Sequence, residues 1–176
     1  LAAARRHPER LSLVDAVTGL EWSVREAADT VARLARAFAE AGIGEGTRIG
    51  VVGANSPWHY IAFVAASWLH AVTVPLSPRM PDSALASMCA QGGVSWVFHD
   101  EASSPTALAL ASAGVHRASF GDLAAWVARA TPMSTAPARC GTELAAILFT
   151  SGSTGTPRPV ELTHEVMWWG STNFRE

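Results

Sequence analysis

The sequence contains no lysine, and all thirteen of its basic side chains are arginine. Catalysis by a lysine amine, as in Schiff-base chemistry, is therefore excluded for these residues. Charged residues are also scarce, at 16% of the chain, and the formal net charge is −2. Because this balance offers no strong positive field, we expect neither nucleic acid nor an anionic membrane surface as a partner.

Cysteine is scarce as well. Cys89 and Cys140 form neither a disulfide framework nor a metal-ligand spacing. We therefore expect two reduced cysteines in a cytoplasmic protein, with no metal ion held by side chains. The apolar stretch from Tyr60 to Leu76 is shorter than the roughly 20 residues of a membrane span. It divides at Ala71 and is predicted to be a buried helix followed by a buried strand.

Hydrophobic residues make up 49% of the 176 residues. A chain of this size can bury about 70% of its unfolded surface. Strand and helix patterns alternate, and Ser23 with Glu26 forms a capping-box pattern before the first helix. Strands are predicted at Ser12–Asp15, Leu20–Trp22, Arg48–Gly53, Val72–Leu76 and Ser95–His99, and further helices begin at Pro57 and Pro81. This alternation predicts an α/β fold whose strand–helix units form a mainly parallel sheet flanked by helices.

The pattern is weaker from Asp100 to Thr142, which is rich in Ala, Ser, Thr and Pro. Within it, a helix is predicted at Asp122–Arg129 and a loop at Thr131–Gly141. Two strands follow, and then there is room for the start of a helix after His164. These strands are predicted at Leu144–Phe149 and near Val160–Leu162.

Hydroxyl-bearing residues and glycines are concentrated between these last two strands. The hydroxyl residues are Thr150, Ser151, Ser153, Thr154 and Thr156, and the glycines are Gly152 and Gly155. An apolar strand that runs into such a loop presents backbone N–H groups and hydroxyls to a phosphate. Arg158 adds a cation suited to bidentate contact, while Pro157 and Pro159 remove two amide donors. The pattern predicts a phosphate-binding loop whose amide donors precede Pro157.

Two alternatives apply to this stretch. One is an ordinary Ser/Gly/Pro surface loop, which hydroxyl content alone does not exclude. The other is a Walker-type P-loop, which requires a lysine and a directly following helix. Because the chain has no lysine and two prolines follow the glycines, the Walker alternative fails.

The stretch Ile147–Pro157, with Val160 and Leu162-Thr163-His164, resembles the phosphate-loop signature of adenylate-forming enzymes. This family contains acyl-CoA synthetases, peptide-synthetase adenylation domains and luciferases. The resemblance covers nearly the whole chain, from about Leu11 to His164. Its upstream parts are Leu20–Ser23, Gly46–Val51, Asn55-Ser56-Pro57 and Trp68–Leu76.

The resemblance implies activation of a carboxylate by ATP to an acyl-adenylate and pyrophosphate, and then transfer of the acyl group to a thiol such as CoA. It implies that the β and γ phosphates, with Mg²⁺, contact the loop from Thr150 to Arg158. We assign this role to Thr150, Ser151, Gly152, Ser153, Thr154, Gly155, Thr156 and Arg158. His164 is a further candidate on the substrate side, because it follows this segment.

Three positions depart from the family pattern. Arg158 stands where the family usually has lysine, Pro159 replaces a glycine, and His70 stands where glycine is common. Pro159 is expected to stiffen the loop. A structural role is favoured over catalysis for both His70 and His164.

The resemblance also implies a domain organisation. The chain corresponds to a partial N-terminal AMP-binding domain without a C-terminal domain. It has βαβ units at 11–99, a variable region at 100–142, and the strand–loop–strand segment at 143–164. The family's adenine, ribose and carboxylate motifs and its catalytic lysine lie downstream.

Four functional hypotheses follow. The chain is the N-terminal piece of a carboxylate–CoA ligase, with fatty acids favoured as substrates and no activity alone. Alternatively, it is an amino-acid-activating adenylation fragment, a non-catalytic remnant or interaction module, or a subunit completed by a separately encoded C-terminal part. ATP affinity of the chain alone is expected to be weak or unmeasurable.

Overall fold

The computed structural model describes residues 6–111, 114–134, 141–150 and 157–172. Their strands are β1 Leu11–Val14, β2 Glu21–Ser23, β3 Arg48–Val52, β4 Val72–Leu76, β5 Trp96–His99, β6 His116–Ser119, β7 Leu144–Thr150 and β8 Arg158–Thr163. The helices are α1 Val24–Glu40, α2 Pro57–Trp68, α3 Asp82–Gly92, α4 Ser104–Ala111, α5 Phe120–Arg129 and α6 His164–Thr172. The predicted alternation of strands and helices is confirmed.

The main sheet contains six strands in the order β6-β5-β3-β4-β7-β8. In this order, every neighbouring pair of strands from β6 to β7 is parallel. The last pair, β7 with β8, is antiparallel. Strands β1 and β2 form a separate antiparallel hairpin. The predicted mainly parallel sheet flanked by helices is therefore confirmed.

Side-chain alternation along the strands builds two cores, one on each face of the sheet. Ile49 and Val51 of β3, with Phe98 of β5, pack on the side of α1, α2 and α5. Val52 and Val97 point to the other side, where they pack with residues of α3 and α4. Successive strand residues point to opposite faces, so each β-branched run contributes to both cores. The continuous apolar strands of the sequence are explained by this two-sided burial.

Local capping fixes the helix starts. The Ser23 side chain accepts a hydrogen bond from the Glu26 backbone N–H, and the Glu26 carboxylate accepts one from the Ser23 N–H, as the sequence predicted. The same reciprocal bonds join Ser119 and Asp122 at the start of α5. The predicted helix at Asp122–Arg129 therefore begins two residues earlier, at Phe120.

The apolar stretch from Tyr60 to Leu76 divides as predicted, between α2 and β4. Within the described ranges, no helix has both the length and the apolar character needed to cross a membrane. Cys89 is a buried free thiol in α3, and burial raises its pKa to about 11.

The contact between β4 and β7 is the narrowest pairing within the main sheet. Its backbone register contains one described pair, Thr73 with Ala146, whereas β3 pairs with β4 along five residues. Pro75 of β4 has no N–H to donate, which limits the ladder beyond Thr73. Side-chain packing and contacts at the strand ends must therefore contribute to holding the β7–β8 hairpin on the sheet.

Candidate functional site

The β7–β8 hairpin forms the stem of the predicted phosphate loop. Thr150 ends β7 and Arg158 begins β8, and the two residues are register partners. Partners in an antiparallel pair have Cα atoms about 4.5–5.5 Å apart, so the structure brings these two predicted site residues together. Both are exposed. The other predicted site residues, Ser151, Gly152, Ser153, Thr154, Gly155 and Thr156, lie outside the described residues.

Pro159 belongs to a strand, whereas the sequence pattern predicts it within the loop. It is the second residue of β8 and pairs with Phe149. Proline is accommodated in a strand where its missing N–H faces no ladder partner, as at the outer side of an edge strand. Its stiffening effect therefore falls on the stem of the loop.

His164 lies at the other end of the hairpin. The register pairs Thr163 with Leu144, and the His164 N–H donates to the carbonyl oxygen of Glu143 at 3.0 Å. At about 3.3 Å per strand residue, this end lies roughly 20 Å from Thr150. The structure does not bring His164 to the Thr150–Arg158 pair, because β8 runs antiparallel to β7.

The carboxyl ends of the parallel strands lie at one edge of the sheet. Thr150, the last residue of β7, lies at the same edge. The chain proceeds from β3 to β4 on one side and later to β5 on the other. Such a reversal of strand order leaves a crevice, which is where open α/β sheets bind ligands. A cavity of about 600 Å³ lies next to this point, beyond the carboxyl ends of β3 and β4. It is lined by Val51, Gly53, Ala54, Asn55, His59, Pro75, Leu76, Ser77, Pro78 and Arg79.

Asp100, directly after β5, fixes the backbone of this cavity. Its Oδ2 accepts the Ala54 N–H at 2.7 Å, and its Oδ1 accepts the Ser103 N–H at 2.8 Å. A Cβ on Gly53 would lie 2.9 Å from Asp100 Cγ, so only glycine allows this approach. Burial alone would raise the pKa of Asp100, but these hydrogen bonds and nearby His59 outweigh it and hold that pKa below its usual value.

His59 contributes the titratable group of this cavity. Burial lowers its pKa, and a backbone contact with Ser56 and the Asp100 carboxylate oppose that shift only in part. The buried His59 Nδ1 forms no hydrogen bond of standard geometry within the described part of the chain. His59 lines this cavity together with Arg79 and Asn55, whose polar side chains offer hydrogen-bonding groups to a polar ligand. Sequence reasoning did not identify this cavity, because its residues come from separate segments that only the fold brings together.

A sequence comparison identifies the family. The profile described as AMP-binding enzyme matches residues 1–175. The chain therefore belongs to the AMP-binding, adenylate-forming enzyme family.

Relatives of two kinds are similar to this chain. Feruloyl-CoA synthase from an Amycolatopsis species is 31% identical over 170 residues, covering 97% of this chain and 33% of that protein. A linear gramicidin synthase protein from Brevibacillus parabrevis is 31% identical over 169 residues, covering 94% of this chain and 2% of that protein. The chain thus spans about a third of the length of the first relative.

Among solved structures, the chain resembles the N-terminal domain of FACL13 from Mycobacterium tuberculosis, which was solved with a bound inhibitor. The TM-score is 0.84 at 26% identity, covering 93% of this chain and 43% of that one. The fold expected from the resemblance is therefore confirmed.

Proposed function

We propose that this chain supplies the ATP-phosphate-binding part of a ligase that activates a carboxylate. In this reaction a carboxylate oxygen attacks the α-phosphorus of ATP, the bond to the bridging oxygen of the β-phosphate breaks, and pyrophosphate leaves. The acyl group of the adenylate then passes to the thiol of CoA, and AMP leaves. The observation that carries the proposal is the Thr150–Arg158 pair at the carboxyl edge of an AMP-binding-family sheet.

The roles of the site residues follow from charge. The hydroxyls and amides from Thr150 to Thr156 would hold the β and γ phosphates, and Arg158 would neutralise part of the charge on the leaving pyrophosphate. Mg²⁺, when bound to the phosphates, supplies further charge neutralisation. Within the described ranges no cluster of three His, Cys, Asp or Glu side chains is suited to a metal ion. Hydroxyl oxygens of the loop and the phosphates themselves are the donors that fit Mg²⁺.

Binding by the loop alone is expected to be weak. Three charge-assisted hydrogen bonds at about 1.5–3 kcal/mol each contribute roughly 5–9 kcal/mol. Association costs an estimated 4–15 kcal/mol. We therefore propose that the chain is inactive alone, and that residues outside it supply the adenine, ribose and carboxylate contacts.

The domain layout is part of the proposal. Residues 11–99 form the supporting βαβ units, 100–142 a variable region, and 143–164 the segment that carries the phosphate loop. The missing contacts come from a C-terminal portion of the same protein or from a separate chain. We also propose a cytoplasmic location, because two cysteines that form no disulfide framework suit a reducing compartment.

Two other functions have specific support. The likeness to the linear gramicidin synthase protein favours an amino-acid-activating fragment as an alternative to a CoA ligase. The replacement of the usual lysine by Arg158, and of a glycine by Pro159, favours a non-catalytic module of the same fold. We propose a fatty acid as the acyl substrate. Because a relative is named feruloyl-CoA synthase, ferulate, an aromatic acid, is a second substrate to test.

ATP–pyrophosphate exchange tests the proposal. The chain is assayed alone, and then joined to the remaining two thirds of the Amycolatopsis feruloyl-CoA synthase, with that intact enzyme as positive control. We expect no exchange by the chain alone and exchange by the joined protein with ferulate. Arg158→Ala is expected to reduce exchange by about 100-fold or more, and Arg158→Lys by much less. A folded joined protein without activity, or full activity after Arg158→Ala, would contradict the phosphate-loop role.

Exchange by the chain alone would contradict only the expectation of inactivity. A panel with hexanoate, ferulate and amino acids, applied to whatever full-length protein carries this chain, separates the CoA ligase from the amino-acid alternative.

A further inference from the structure

Three helices end with the same hydrogen-bonded turn. The N–H groups of Ile43, Ala71 and Val94 donate to the carbonyls of Phe38, Ala66 and Cys89, which closes the last turns of α1, α2 and α3. This is the Schellman arrangement, which requires a left-handed residue just after the helix. Gly42 and Gly93 occupy that position in α1 and α3, with φ of 81° and 62°.

His70 occupies the corresponding position after α2, with φ of 57°. It is the one non-glycine residue with positive φ in the described part of the chain. The Cβ makes this conformation strained, so glycine is favoured there on backbone grounds alone. Backbone geometry therefore does not explain why a histidine, rather than a glycine, occupies position 70.

That side chain contacts the start of β7. His70 Nδ1 lies 2.7 Å from Glu143 Oε2, and both side chains are partly buried, at 23% and 35% exposure. His70 lies two residues before β4, and Glu143 lies directly before β7. This contact thus joins the amino ends of β4 and β7, the two strands whose backbone pairing is narrowest.

Glu143 also connects to the far end of the hairpin, because its carbonyl oxygen accepts the His164 N–H. The surrounding cavity of about 240 Å³ is lined by Glu45 and Arg48 as well as His70 and Glu143. Arg48 is engaged elsewhere, since its Nη1 donates to the Gly92 carbonyl at 3.1 Å. His70 thus provides a direct side-chain link from Glu143 to the start of β4.

We propose that His70 is a positioning residue for Thr150 and Arg158. Its hydrogen bond with Glu143 fixes the start of β7 against β4, and the continuous β7–β8 pairing from Ala146 onward carries this alignment to Thr150 and Arg158 at the opposite edge. The inference rests on the proposed phosphate-binding role of these two residues. It assigns to His70 a function at a distance, without contact to the substrate.

Three variants separate the contact with Glu143 from the backbone effect. His70→Asn keeps a residue that tolerates the left-handed conformation but removes the imidazole that reaches Glu143. His70→Arg restores a hydrogen-bond donor with enough reach for Glu143. His70→Asn/Glu143→Gln tests whether the two positions act as a pair. Asp29→Asn, which breaks the surface pair between Asp29 and Arg33, is the matched control.

Two readouts are measured on the 176-residue chain. Hydrogen exchange compares the amides of β7, Ala146–Thr150, with those of β5 as an internal reference. Titration with Mg²⁺ and inorganic pyrophosphate, followed by the backbone NMR signals of Thr150 and Arg158, gives the dissociation constant. The second readout reports positioning, which a merely structural pair would leave unchanged.

We expect His70→Asn to accelerate β7 exchange by about tenfold, with β5 unchanged, as for a partly buried pair worth about 1.4 kcal/mol. The pyrophosphate dissociation constant is expected to rise at least about threefold. His70→Arg should restore both values to within about twofold, the double variant should resemble His70→Asn, and Asp29→Asn should change neither value.

Unchanged β7 exchange in His70→Asn would overturn the proposal. So would faster exchange with unaltered pyrophosphate affinity, because the pair would then be structural only. Failure of His70→Arg to restore either value would also refute it. If the unaltered chain binds no pyrophosphate, the phosphate-loop function itself fails. That result differs from failure of positioning, in which wild-type binding persists.

Discussion

The Asp100 carboxylate is predicted to stabilise the cavity at the carboxyl edge of the sheet, and Asp100→Asn tests this. The substitution keeps the shape of the side chain. It replaces one of two oxygens that accept backbone N–H groups, from Ala54 at 2.7 Å and Ser103 at 2.8 Å. In the variant, an NH₂ group must face one of these donors, so one hydrogen bond is lost and the other becomes neutral.

The expected cost follows from these two bonds. A hydrogen bond to a charged group contributes about 1.5–3 kcal/mol, and a neutral one about 0.5–1.5 kcal/mol. Because Asp100 is only partly buried, solvent reduces the difference. We expect Asp100→Asn to lower the free energy of unfolding by about 1–2 kcal/mol, which for a domain of this size corresponds to roughly 2–8 °C in Tm.

The pKa of Asp100 determines how its contribution to stability changes with pH. The pKa of Asp100 is lowered in the folded chain, so the unfolded chain binds the proton more readily. Its stabilisation is therefore fully present above the unfolded pKa of about 3.9 and is lost as pH falls through the lower folded pKa. The difference between wild type and Asp100→Asn should be largest near neutral pH and should shrink in acid.

Urea unfolding followed by circular dichroism at several pH values measures this difference. Asp29→Asn serves as control, because an exposed i,i+4 pair with Arg33 is worth only about 0.3–0.5 kcal/mol. The reasoning is refuted if Asp100→Asn costs no more than this control at neutral pH, or if its cost grows as the pH falls.

Three further predictions concern buried positions. Gly50→Val should destabilise the chain by about 1–3 kcal/mol in urea unfolding, because even a Cβ would lie 3.0–3.2 Å from three aliphatic side chains; an unchanged midpoint would contradict this. Cys89, whose pKa burial raises to about 11, should resist alkylation at pH 8 until the chain unfolds, and rapid labelling located by mass spectrometry would disprove its burial. His59→Gln should flatten the pH dependence of stability, because the lowered pKa of His59 makes the native chain lose stability as pH falls below about 6.5; an unaltered slope would exclude that role.

Local signals explain what the sequence predicted well. Ser23 and Glu26 lie three residues apart and form the capping box through contacts that the spacing alone determines. The β-branched runs at β3 and β4 are apolar on both faces, as buried parallel strands require. These elements were predicted because local preference and tertiary burial agree.

The variable region was predicted less well. Helix α4 and strand β6, at Ser104–Ala111 and His116–Ser119, were not predicted. The α4 sequence is short and apolar without a helical stripe, and β6 begins with two exposed polar residues. Their structure depends on packing against β5, which no local pattern reveals.

The site required the fold for a different reason. Thr150 and Arg158 were both assigned to the phosphate loop because they flank it in sequence, and His164 was associated with them by sequence proximity. The antiparallel register places His164 at the opposite end of the hairpin. The contact between His70 and Glu143 joins residues 73 positions apart, so the sequence shows only a histidine in a glycine position.

The most direct test of the phosphate-loop account is a titration of the ¹⁵N-labelled chain with Mg²⁺ and ATP. The account predicts saturable shifts at Thr150 and Arg158 with a dissociation constant of about 1 mM or weaker, or about −4 kcal/mol at most. Signals of the distant β1–β2 hairpin should stay unchanged, and Arg158→Ala should abolish the shifts. Shifts that persist in Arg158→Ala, or that spread evenly over the chain, would contradict it.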